Sequence, residues 1–124
     1  MRAIHLRDDA EGSARRVDAL GEPAIAFVTV TNHTTTTAYL YGFVDLNGDG
    51  DFADSGETAY VTVPSGVTNG VYMLTFGSLP LSSPPAIYAR FRLSTSQTAA
   101  SSPSGLAPDG EVEDYVVYPT WVAI

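Results

Sequence analysis

Residues 45–57 read DLNGDGDFADSGE and carry five carboxylates, one Asn and three glycines. Acids this dense repel one another. They are stable together only where solvent, an Arg cluster or a metal cation takes up the charge. Calcium takes about six to eight oxygens at roughly 2.3–2.6 Å. A short loop supplies them when alternate side chains point inward and glycines allow sharp turns. Asp45, Asn47 and Asp49 stand at positions 1, 3 and 5 of such a loop, Gly50 at position 6 and Asp51 at position 7. The spacing then departs from an EF-hand: position 12 is Gly56, and Glu57 is position 13. The flanks are apolar and strand-like, not helical. The stretch is therefore expected to be a half EF-hand loop on a β scaffold. Calcium would be held by Asp45, Asn47, Asp49 and Asp51, with Asp54, Glu57 or a distant group completing the shell. The competing reading is a solvated hairpin turn, because N-G and D-G are strong turn formers. Five acids are more than a turn requires.

A second acidic stretch, APDGEVEDYVV, covers residues 107–117. Pro108, Asp109 and Gly110 read as a turn into a strand, where Val112, Asp114 and Val116 alternate with Glu113, Tyr115 and Val117. Glu111, Glu113 and Asp114 are poor β formers, so they invite partners. The candidates are Arg90 and Arg92 on the preceding strand, or the metal of the first loop. The two stretches 45–57 and 109–114 hold nine of the fourteen acids, and the remainder has six Arg against five acids. The acidity is thus focused on an otherwise balanced chain.

The elements that must position these residues are strands. Alternating β-branched and aromatic runs predict strands at 24–31, 38–45, 58–63, 71–76, 87–93 and 112–118. In the second, Leu40, Gly42 and Val44 face one side and Tyr39, Tyr41 and Phe43 the other. In the fifth, Ile87, Ala89, Phe91 and Leu93 oppose Tyr88, Arg90 and Arg92. Gly, Pro and Ser punctuate the runs, and no convincing helix appears. This pattern predicts an all-β, Ig-like antiparallel sandwich of six to eight strands. Residues 1–22 read as a polar leading segment with one short edge strand at most; a helical turn near 14–20 has no amphipathic stripe to support it. Residues 23–119 are expected to form the sandwich, and 120–124 a tail or linker, with Trp121 either a cap over the sandwich edge or the start of that linker. The 94–108 loop is long for a compact sandwich, hence functional or mobile.

At 124 residues and 13.1 kDa the chain has the length of one domain. A net charge of −8 argues against nucleic acid, which needs a basic footprint. No apolar run approaches the ~20 residues of a membrane span, and no export signal is visible, so any such signal is expected to have been removed or to lie on a longer parent chain. Cysteine and lysine are both absent, which excludes disulfides, thiol catalysis and lysine chemistry. His5 and His33 have no nucleophile or carboxylate at a recognisable spacing. There is no G-x-S-x-G elbow, and nothing resembles a sugar cleft around Glu111 and Glu113. The expectation is a non-catalytic domain. Tyr39, Tyr41, Tyr60, Tyr72, Tyr88 and Tyr118 are expected to line strand faces; on one exposed face they would form a carbohydrate-stacking platform.

GEVEDY, residues 110–115, resembles the motif that names the GEVED domain family of bacterial extracellular proteins. AYLYGFVDLNGDGDF is similar to that family's strand and D-x-N-x-D-G loop, and YARFRLS to its Arg-bearing strand. The loop also resembles the calcium loops of B-type repeats in bacterial surface adhesins. These resemblances imply an Ig-like accessory module of a secreted or cell-surface multidomain protein, with neighbouring domains as partners. Calcium is the expected ligand and adhesion a possible setting. The alternative expectation is a module that binds carbohydrate or a protein surface through exposed tyrosines and the 94–108 loop.

Overall fold

A computed structural model describes residues 4–7, 23–78 and 87–117 of the chain. Seven strands and one short helix occupy them: β1 (Ile4–Arg7), β2 (Pro23–Asn32), β3 (Ala38–Val44), β4 (Thr58–Val63), β5 (Val67–Ser78), β6 (Ile87–Ser94), α1 (Gln97–Ala100) and β7 (Glu111–Val117). They form an all-β sandwich. One sheet runs β1-β2-β5 and the other β4-β3-β6-β7, and every pairing is antiparallel. The possible helical turn near 14–20, Tyr118 and Trp121 lie outside the described residues.

Period-two alternation decides which side chains meet between the sheets. Val28, Val30, Leu74 and Phe76 from one sheet pack against Leu40, Val44, Ala89, Phe91 and Leu93 from the other. Gly42 sits at the tightest point. A Cβ there would lie 2.8 Å from Phe76 and 2.9 Å from Phe91, so the absent side chain lets both rings into the core. The outward row of β3 is also covered. Tyr41 and Phe43 form a second cluster with Ala100, flanked by Tyr39 and Phe52.

That cover includes a helix that the sequence pattern did not show. Residues 97–100 form a helical turn, capped by Ser96, whose hydroxyl accepts the Ala99 N–H. The long loop is a strap laid over the outer face of the four-stranded sheet. β5 is longer than expected, starting at Val67, because its ladder continues past an irregularity at Asn69. There the Asn69 N–H donates to the Thr31 hydroxyl at 2.9 Å, a side-chain substitute for a ladder bond. Asn32 satisfies the turn that follows β2: its amide donates to Thr36 and Val63 carbonyls and its oxygen accepts from Thr34. No helix among the described residues is long and apolar enough to cross a membrane.

Candidate metal centre

The acidic loop connects β3 to β4 at one end of the sandwich. Main-chain bonds pin both its ends: Asp45 N–H donates to Tyr88 O on β6, and Val44 N–H to Glu57 O, each at 2.9 Å. Positive φ at Gly50 (94°) and Gly56 (84°) supplies the turns that L side chains resist. At Gly56 the loop also touches β5. Gly77 N–H donates to Gly56 O at 2.8 Å, and a Cβ on Gly56 would come within 3.0 Å of the Gly77 Cα.

Two of the acids point inward. Asp45 is 3% exposed and Glu57 1%. Glu57 accepts Leu46 N–H on one oxygen (2.9 Å) and Asp54 N–H on the other (3.1 Å). Its pKa is raised, burial outweighing those two hydrogen bonds. Asp45 accepts Gly50 N–H at 2.8 Å and Asp49 N–H at 3.2 Å. The remaining acids are exposed, and each folds the chain locally. Asp49 accepts Asp51 N–H, Asp51 accepts Ala53 N–H, and Asn47 donates its amide to Asp54 at 2.9 Å.

Asp49, Asp51, Asp54 and Glu57 each bring a carboxylate oxygen within 4.8 Å of the other three. Ligands on opposite sides of one calcium ion lie about 4.6–5.2 Å apart, twice the Ca–O distance. The group therefore fits a single cation. Asp54 is held above the ordinary carboxylate value by its hydrogen bond with Asp49, which is held below it by the same bond. Among the described residues no Arg pairs with any of these acids; the one salt bridge there is elsewhere.

Of the sequence-expected ligands, Asp49, Asp51, Asp54 and Glu57 come together. Asp45 falls outside that group and acts on the loop itself as a buried acceptor, while Asn47 stands beside the group, its amide bonded to Asp54. Glu111, Glu113 and Asp114 also fall outside it. Asp114 instead meets Arg90 in a bidentate pair, Nε to Oδ1 at 2.6 Å and Nη2 to Oδ2 at 2.9 Å. That contact lowers the Asp114 pKa and raises that of Arg90. Glu111 and Glu113 stand opposite Leu93 and Phe91, on the core side of β7.

Arg92 departs from the expectation that it pairs with these acids. Its neighbour across the ladder is Val112, not an acid. Buried at 3% exposure, its guanidinium donates to the carbonyls of Ser102, Ser104 and Gly105 at 2.8–2.9 Å. Arg90 adds a fourth such bond, to Pro103 O. The strap is thus held by two Arg and, at its far end, by Asp109. That carboxylate accepts Thr95 N–H and the hydroxyls of Thr95 and Ser94. Burial alone would raise the Asp109 pKa; the three hydrogen bonds outweigh it and hold it below the usual range.

The GEVED domain model matches residues 39–118. The chain belongs to the GEVED domain family. No curated protein and no solved structure matches it. In this GEVED domain the matched span starts in β3 and takes in the acidic loop, the Arg strand, the strap and β7. The acids of its GEVEDY stretch divide by strand face. Asp114 faces out to Arg90, while Glu111 and Glu113 face the sandwich interior. Of the tyrosines, Tyr39, Tyr41, Tyr60 and Tyr88 share the outer face of the four-stranded sheet through its register, and Tyr72 packs inward. Tyr41 is covered by the strap; Tyr60, half exposed, stacks on it at 4.7 Å. His33 is exposed and hydrogen-bonded to the Thr68 hydroxyl.

Proposed function

We propose that this GEVED domain is a non-catalytic, calcium-binding accessory module of a secreted or cell-surface bacterial protein. The observation that carries the reading is the four-carboxylate group of Asp49, Asp51, Asp54 and Glu57, with oxygens within 4.8 Å and no cationic side chain beside it among the described residues. An ion there would join three exposed acids to one buried acid. It would lock the β3–β4 connection against Gly77 of β5 and Tyr88 of β6, both already bonded to the loop. The role is rigidity: a fixed loop at one end of the module gives a neighbouring domain of the parent chain a fixed surface to meet. Extracellular calcium is millimolar, so a dissociation constant of about 10⁻⁴–10⁻³ M suffices.

Isothermal titration with calcium tests the reading. One equivalent bound by the protein and none by Asp51→Asn/Asp54→Asn supports it; no heat at millimolar calcium overturns it. The second reading, a carbohydrate-binding module, has the Tyr60–Tyr41 stack in its favour. Glycan binding that survives chelation and is lost in Tyr60→Ala would favour that alternative.

A further inference from the structure

Each sheet ends in two edge strands, and the four edges fall on two sides of the sandwich. β1 and β7 end their sheets on one side, where they touch, and β4 and β5 end theirs on the other. The sides differ in charge. β7 carries Glu111, Glu113 and Asp114. From Thr58 to Ala89, a span that includes all of β4 and β5, there is no Asp, Glu, Lys, Arg or His.

Edge strands present unpaired N–H and C=O groups, and proteins ordinarily blunt them with charge, Pro or shortness. β4 is short. β5, at twelve residues, is the longest described strand; it contains no Pro and pairs only with β2. Its two ends are engaged, Asn69 by the Thr31 hydroxyl and Gly77 by Gly56. Between them, residues 71–76 make no backbone bond outside the β2 ladder among the described residues. Val71 and Met73 on this stretch are 50% and 53% exposed. The β2 register sets Phe27 beside Met73 and Ile25 beside Thr75, so the apolar row continues inward across the sheet.

We propose that β5 is an interface strand that pairs antiparallel with β5 of a second copy of this chain about a two-fold axis. The pairing would join two three-stranded sheets into one of six. Charge selects this partner. Copies with a net charge of −8 repel, and among the described edge strands β4 and β5 carry no acid of their own to bring against a second copy. A two-fold contact also demands that one patch complement itself, and an uncharged strand with apolar side chains does so. A register centred on Met73 keeps both outward faces on the same side of the joined sheet.

Sedimentation equilibrium over a micromolar-to-millimolar range, with calcium and with chelator, tests this. The expected result is a reversible dimer in both conditions. Met73→Lys places two like charges together at the axis, and Thr75→Lys sets a charge opposite the apolar Val71 of the other copy; each should weaken the dimer at least tenfold, with circular dichroism unchanged. Ile25→Lys, on the same face but one strand inward, should leave it intact. A monomer at every concentration overturns the proposal, as does a dimer insensitive to both β5 variants. Loss of the dimer in Ile25→Lys also overturns it, since that result indicates stacking of faces in place of pairing of edges.

Discussion

The two acidic patches of this domain solve one electrostatic problem in different ways. At 109–114 the chain supplies the answer itself. Asp114 takes Arg90, and Asp109 takes an N–H and two hydroxyls, so both carboxyls sit below their ordinary pKa. At 45–57 the chain brings more acid and no Arg. Backbone N–H groups satisfy Asp45 and Glu57, yet Glu57 and Asp54 sit above their ordinary pKa. In the 109–114 patch, Asp109 and Asp114 have partners from the chain itself that favour their ionised form. In the loop, Asp54 and Glu57 are harder to ionise than a free carboxyl, and no Arg among the described residues offsets them, while four carboxylate oxygens lie within 4.8 Å of one another.

The comparison can be broken most sharply at Glu57. Glu57→Ala leaves two N–H groups without acceptors at a site 1% exposed. Urea unfolding should show a loss of about 3 kcal/mol, and a loss under about 1 would mean that the loop does not depend on its buried acid. Next comes calcium itself. At a hundredfold excess over the dissociation constant, binding to the folded state alone adds ~2.7 kcal/mol, or about 10 °C in a thermal melt. Asp51→Asn should shrink that shift and Asp114→Asn should leave it whole. Equal effects from the two variants would erase the distinction between the patches.

Asp109→Ala should cost about 1–2 kcal/mol through its lost hydrogen bonds, and its effect should depend on pH. The folded pKa of Asp109 lies below the unfolded value. Its contribution is therefore full above the ordinary 3.8 and is lost as pH falls through the folded value. The variant should converge with the parent protein at low pH, and a gap that persists there would contradict this account. Smallest is Asp114→Ala, at about 0.5 kcal/mol, because the pair with Arg90 is largely solvated. High salt should reduce even that difference.

Much of the fold was legible in the chain because burial on a strand follows alternation. The split of Leu40 and Val44 from Tyr41 and Phe43 across β3 could be read directly. Its sequel could not: the outward row is buried as well, since a strap distant in sequence lies over it. The acidic loop announced itself by its D-x-N-x-D-G opening, but the assignment of roles within it depends on direction. Asp45 turns into the chain's own N–H groups, and Glu57, one position late for an EF-hand, reaches the cluster because the strand after it starts there. Arg92 gave no usable signal. Its partners are main-chain carbonyls, which every residue has, so nothing in the side chains of 102–105 identifies them.

The same property of Arg92 bears on how the domain can be altered. Its clasp grips the carbonyls of Ser102, Ser104 and Gly105 and touches no side chain of the two serines, while the positive φ of Gly105 (94°) keeps that position glycine. The strap can therefore accept foreign sequence at Ser101 and Ser104, both exposed, while its path stays fixed. That makes this segment a display surface, able to carry a grafted peptide on a frame that recognises the graft only by its carbonyls.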